Sequence, residues 1–149
     1  LKYENDIRAN ATKNKLETSF VAAIINTESG FNKDAKSPRG AEGLMQLLPT
    51  TADFVANKFG IEFEDNNLFD AQKNIEIGCR YLRYLFDKFG DKRTVLFAYN
   101  SGEGNVVTWL KIYDYSGDGK TLTTCPYDET NNYVQKVLKA EKHYKKKCP

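Results

Sequence analysis

One segment limits the possible folds more than any other. Between Asp70 and Gly90, small or apolar residues recur every three or four positions: Ile75, Gly78, Cys79, Leu82, Leu85, Phe86 and Phe89. Residues so spaced share one face of an α-helix. Asp70 is a good helix cap and Gly90 a good stop, so the spacing predicts a long helix between them. Only one side of that helix is apolar, and it must be covered by other elements.

Much of the remaining chain reads the same way. Val21, Ile24, Ile25 and Glu28 fall at i, i+3, i+4 and i+7, with Thr18 or Ser19 as cap and Gly30 as terminator. Residues 33–49 hold Pro38 and two glycines, Gly40 and Gly43, and read as loop. Pro49 opens a helix with the stripe Ala52, Val55, Ala56 and Phe59, and Gly60 ends it. A helix over roughly 92–99 is followed by the turn Asn100–Gly104 and a short helix carrying Val106, Val107 and Leu110. Residues 114–128 read as a long loop. Asp128 caps a last helix with Tyr133, Val137, Ala140 and Tyr144 on one side. No repeat and no long alternating run is present. The expectation is an all-α, mainly helical single domain over residues 1–149, with a minor β-turn or hairpin in the loops.

Several function classes are excluded or disfavoured. No apolar run reaches the roughly 18 residues that span a membrane. With 28% charged and 13% aromatic residues, the composition is that of a globular chain. The net charge is +2, unevenly spread: residues 136–149 hold six lysines against one glutamate, and the remainder holds 16 basic against 19 acidic residues. A basic tail on a near-neutral body is not a nucleic-acid domain. It reads as a solvated last helix whose lysines complement the helix dipole, with weak attraction to an anionic polymer as the other reading. Three cysteines without CxxC spacing and a single histidine, His143, make neither a zinc site nor a Ser-His or Cys-His nucleophile. Asp114–Gly119 begins like a calcium loop, but Cys125 stands where the bidentate Glu is required, so no metal and no cofactor is expected. The chain begins at Leu1 without a leader, which reads as a processed protein or an excised domain.

Three clusters carry chemistry. Glu28 ends an apolar stripe, where desolvation raises a carboxyl pKa and favours a general acid. A buried Glu held by a partner such as Arg reads equally well from position alone. Gly40–Pro49 combines glycines, which permit close backbone approach, with Gln46, whose amide suits sugar hydroxyls or acetamides. A plain connector reads as well. Ala98-Tyr99-Asn100-Ser101-Gly102 places a phenol and an amide at a helix end, or is simply a helix stop.

Together these segments are more specific than any one alone. Glu28-Ser29-Gly30-Phe31, Gly43-Leu44-Met45-Gln46 with Pro49, and Ala98-Tyr99-Asn100-Ser101-Gly102 resemble the three signature motifs of the lytic transglycosylases. Glu129-Thr130-Asn131-Asn132-Tyr133-Val134 resembles a fourth segment of that family, and Asn74-Ile75-x-x-Gly78-x-x-Tyr81-Leu82 its helix after the second motif. The resemblance covers about residues 15–140 and extends to the soluble lytic transglycosylase catalytic domain and goose-type lysozyme. It implies a lysozyme-like fold with a substrate cleft. Glu28 would be the sole catalytic acid/base. Ser37, Met45, Gln46, Tyr99, Asn100, Glu129 and Tyr133 would serve the substrate, with Tyr99 close to Glu28 and Asn100 shaping the cleft wall. Leu48, Ser101 and Cys79 depart from common family residues.

The implied reaction cleaves the bond between N-acetylmuramic acid and N-acetylglucosamine and forms a 1,6-anhydro sugar. Alternatives are a lysozyme-type hydrolase, needing a second carboxylate such as Glu42 or Glu129, and a non-catalytic wall-binding module. The implied partner is the peptidoglycan glycan strand, met outside the cytoplasm by a monomer, with other domains or wall and secretion machinery as further partners. No nucleic acid or membrane insertion is implied. In that setting Cys125 and Cys148 are candidates for a disulfide closing about 22 residues and adding about 3 kcal/mol, against two unpaired thiols as the other reading.

Overall fold

A computed structural model describes residues 1–148. Among them are seven helices: α1 Glu4–Lys13, α2 Thr18–Ser29, α3 Pro49–Phe59, α4 Ala71–Phe89, α5 Lys92–Ser101, α6 Glu103–Trp109 and α7 Asp128–Lys147. The described residues form no sheet. Two isolated antiparallel bridges, Lys36 with Glu42 and Glu42 with Leu47, make the small β feature expected in the loops.

Most helix ends follow local chemistry. The Asp70 carboxylate accepts from Gln72 N at 3.1 Å at the start of α4, and Gly90, at φ 74°, returns its N–H to Phe86 O at 2.8 Å. Asp91 caps α5 through Thr94 N at 3.0 Å and the Thr94 hydroxyl at 2.7 Å. Pro49 occupies the first turn of α3, where its missing N–H costs nothing. α2 differs from expectation. Its N-cap is Glu17, without a side-chain cap bond, and Thr18 and Ser19 lie inside the helix. α5 runs two residues beyond the expected end at 99, because Ser101 is still helical. In α6, Val107 is exposed and Trp109 is buried, so the apolar side is set by Val106 and Trp109. Asp128 and Glu129 lie in the first turn of α7 and Lys145, Lys146 and Lys147 in its last, the order the helix dipole favours.

The chain groups into two compact units. The first comprises Leu1–Tyr81 and the chain from Ala140 onward. Its core is built on α2, where Val21 through Ile25 are fully inaccessible, with Ile7 of α1, Leu44 and Met45 of the loop, Val55 of α3 and Ile75 and Ile77 of α4. The second comprises Leu82–Lys139. Its core holds Leu82, Leu85, Val95, Leu96, Phe97 and Val106, with Val134 and Val137 of α7. No described helix is long and apolar enough to cross a membrane.

Candidate active site

In the first unit, Glu28 sits in the last turn of α2. The stripe beneath it, Val21, Ile24 and Ile25, is wholly buried, and Glu28 is half-buried where that stripe reaches the surface. Its neighbour Ser29 donates its hydroxyl to Leu44 O at 2.7 Å, with a second acceptor, Ile25 O, at 3.1 Å. Thus the first motif is tied to the backbone of the second. The second motif is tied in turn to α4 by Asn74, which is completely buried. Asn74 Oδ1 accepts from Met45 N at 2.8 Å, and Nδ2 donates to Glu42 O at 2.9 Å and Leu68 O at 2.8 Å.

Two glycines make this interlock possible. Gly43 adopts φ +80°, and a Cβ there would fall 2.2 Å from both Asn74 Nδ2 and Leu68 O. A Cβ on Gly78 would lie 2.3 Å from Met45 Sδ. The loop ends at Gln46, a non-glycine residue at φ 50°, whose Nε2 donates to Gly43 O at 2.9 Å and Ala35 O at 3.0 Å. Both amide protons are therefore taken, and Oε1 remains as an acceptor. Ser37 is half-buried and its hydroxyl accepts from Ala41 N at 3.0 Å. Glu42 is paired with Lys36 at 3.7 Å.

In the second unit, Tyr99 and Asn100 end α5, both half-buried. The turn after them is held by Glu103, whose carboxylate accepts from Tyr84 OH at 2.8 Å and from Lys88. Burial, then the bond to Glu103, pushes the Tyr84 phenol up to about 12. At the start of α7, Glu129 is exposed and Tyr133 is buried. Between them Thr130, 3% exposed, donates its hydroxyl to Asn100 Oδ1 at 2.8 Å. Asn131 holds the preceding loop, accepting from Cys125 N at 3.0 Å and donating to Cys125 O at 2.9 Å. The third and fourth motifs are therefore one hydrogen-bonded assembly.

Known proteins place this pair of assemblies. The family model for the transglycosylase SLT domain matches residues 5–122. The chain belongs to that family. It is 37% identical over 146 residues to the soluble lytic murein transglycosylase of Escherichia coli K12, covering 95% of this chain and 23% of the relative. It is 34% identical to the membrane-bound lytic murein transglycosylase C of Actinobacillus pleuropneumoniae, covering 93% of this chain and 44% of the relative. The chain thus spans less than half the length of these relatives. Among solved structures, an inactive Glu-to-Gln mutant of the lytic transglycosylase Slt from Pseudomonas aeruginosa superposes with a TM-score of 0.85 at 35% identity, over 98% of this chain and 24% of that one. The 70-kDa soluble lytic transglycosylase of E. coli superposes at 0.83 with 33% identity, over 95% and 24%. The all-α, lysozyme-like fold expected from the motifs is therefore established.

Within this SLT domain, Met45 is fully inaccessible and its sulfur seats on Gly78, so it shapes the second motif from beneath. The Cys125–Cys148 bridge is not formed: all three cysteines are free and buried. Cys125 instead donates its thiol to Tyr127 O at 3.5 Å, and Cys148 N closes on Tyr144 O at 2.7 Å after α7. The calcium-like loop is a turn closed on Asp118, whose Oδ1 accepts from Lys120 N and Thr121 N, each at 2.9 Å. Asn74 and Thr130 were not singled out for a role, although both stand in the matched segments. A polar residue inside an otherwise apolar helix face was the available signal for Asn74.

Proposed function

We propose that this SLT domain is a peptidoglycan lytic transglycosylase in which Glu28 is the sole acid/base. The observation that carries the reading is the place of Glu28: half-buried at the end of a wholly buried stripe, beside Ser29, which is bonded to the second motif. A single carboxyl in partial burial suits a group that must first give and then take a proton. Glu28 protonates the glycosidic oxygen between N-acetylmuramic acid and N-acetylglucosamine, and the C1–O bond breaks. The substrate acetamide stabilises the oxocarbenium-like centre. The Glu28 carboxylate then accepts the proton of the C6 hydroxyl as that oxygen bonds to C1. The product is a 1,6-anhydro end, and no water is consumed. One carboxylate is enough because the substrate supplies the nucleophile, whereas most glycosidases need a pair.

The glycan is held by polar side chains of fixed polarity. Gln46 offers its carbonyl oxygen to a hydroxyl or amide N–H. Ser37, Tyr99, Asn100, Glu129 and Tyr133 supply further contacts along the strand. The hydrolase reading needs a second carboxylate to activate water, and Glu42 is already engaged by Lys36. Peptidoglycan as substrate supports a setting outside the cytoplasm.

Glu28→Gln is the direct test. Cleavage of purified peptidoglycan is expected to fall by about a thousandfold, within the usual range for losing a general acid, while binding to the wall persists. Normal cleavage by the variant would remove Glu28 from the mechanism. Binding by the wild type without any cleavage would leave a wall-binding module.

A further inference from the structure

We propose that Thr130 is a positioning residue that fixes the polarity of Asn100, so that Asn100 meets the glycan as a hydrogen-bond donor only. The inference rests on the transglycosylase reading and deepens it. An asparagine amide has two chemically opposite ends, and a half-buried one can turn either outward. Here the choice is made by a neighbour. Thr130 is 3% exposed, and its hydroxyl donates to Asn100 Oδ1 at 2.8 Å. With Oδ1 turned to Thr130, Nδ2 faces the other way. Among the described residues no acceptor is recorded for that Nδ2. Both of its N–H groups are therefore open to a sugar acceptor, an acetamide carbonyl or a hydroxyl oxygen. Flipping the amide would turn an N–H toward the hydroxyl oxygen and leave the O–H proton of Thr130, which is 3% exposed, without its acceptor, at the cost of an unsatisfied buried donor.

The sequence position of Thr130 supports the assignment. Its neighbours divide the labour of the first turn of α7: Asn131 pins the loop at Cys125, and Glu129 stays exposed. Thr130 reaches instead to the third motif, at a separation of 30 residues. Gln46, in the other unit, is the mirror case. Both of its donors are occupied and its acceptor is left open. The two amides would therefore impose opposite hydrogen-bond polarity on the substrate groups they meet.

The test is a double-mutant cycle on Thr130→Val and Asn100→Ala, with Thr130→Ser as the conservative control. Cleavage of purified glycan strands gives kcat and KM. Calorimetric binding of glycan fragments to the same variants in a Glu28→Gln background gives affinity without turnover. Thr130→Val removes the lock and keeps the shape. It is expected to raise KM and weaken binding about five- to tenfold with kcat little changed, the size of one neutral hydrogen bond. Thr130→Ser should restore both. In the Asn100→Ala background, Thr130→Val should have no further effect on affinity, because its action runs through that amide. Equal losses in both backgrounds would make Thr130 a packing residue and overturn the proposal. So would wild-type affinity in Thr130→Val. Should the wild type bind glycan without cleaving it, the transglycosylase reading fails while the binding cycle still decides the role of Thr130. A chain that neither binds nor cleaves overturns both.

Discussion

Replacing Asn74 by alanine should unfasten the second motif from α4. Asn74 is completely buried and makes three hydrogen bonds, to Met45 N, Glu42 O and Leu68 O, at 2.8–2.9 Å. Each bond contributes about 1 kcal/mol net, and the variant also leaves the Met45 N–H and the Leu68 carbonyl without their partner in the interior. The expected loss is about 3–4 kcal/mol. For a chain of this length that lowers the melting temperature by about 10 °C. Urea unfolding followed by circular dichroism would read the change as a shifted midpoint with an unaltered slope. Asn74→Asp sharpens the test. It keeps the acceptor for Met45 N and replaces the donor by an oxygen facing two carbonyls. Folding then raises the carboxyl pKa, so this variant should regain stability as pH falls and the new carboxyl becomes protonated. A loss below about 1 kcal/mol in Asn74→Ala, or an Asn74→Asp stability that does not respond to pH, would refute the interlock.

Other outcomes follow from single contacts. Gly78→Ala should cost about 1–3 kcal/mol despite a better helix propensity, because its Cβ meets Met45 Sδ at 2.3 Å in a sealed core; unchanged urea unfolding would contradict this. Backbone N–H groups of Thr121 and Lys120 hold the Asp118 carboxyl down to about 2 from its ordinary 3.8. A group lowered by folding stabilises the fold fully above about pH 4 and loses that effect as pH falls through about 2, so the melting temperatures of wild type and Asp118→Asn should converge at the acid end. Titration with a thiol reagent in concentrated guanidinium, without reductant, should find three thiols per chain; native protein should react slowly, since burial pushes Cys79 well above the ordinary thiol range.

Where the sequence was legible, the signal was punctuation. Asp70, Gly90, Pro49, Gly60 and Gly30 mark helix ends because they supply a cap, a fixed φ or a left-handed turn without strain. α1 escaped because it buries only Ile7 and Ala11, too few residues to show a period. The register of α6 differs from expectation because seven residues fall just short of two turns, so spacing does not rank Val107 against Trp109. The candidate site was legible as motifs and illegible as roles. Met45 stands beside Gln46, yet one side chain points into α4 and the other closes its own loop, a division set by the left-handed backbone at Gln46. Thr130 acts on a residue 30 positions away, which no local pattern encodes. The cysteines illustrate the reverse error: an inferred compartment favoured a bridge, while each thiol found its own buried place.

The central claim is that Glu28 works alone, with the substrate as nucleophile. Digesting purified peptidoglycan in water enriched in heavy oxygen tests it most directly, with soluble muropeptides read by mass spectrometry before and after borohydride treatment. The expected fragments are lighter than hydrolysis products by one water, resistant to reduction and free of the heavy label. Reducible ends carrying the label would show that water attacked the sugar, and would contradict the single-carboxylate mechanism.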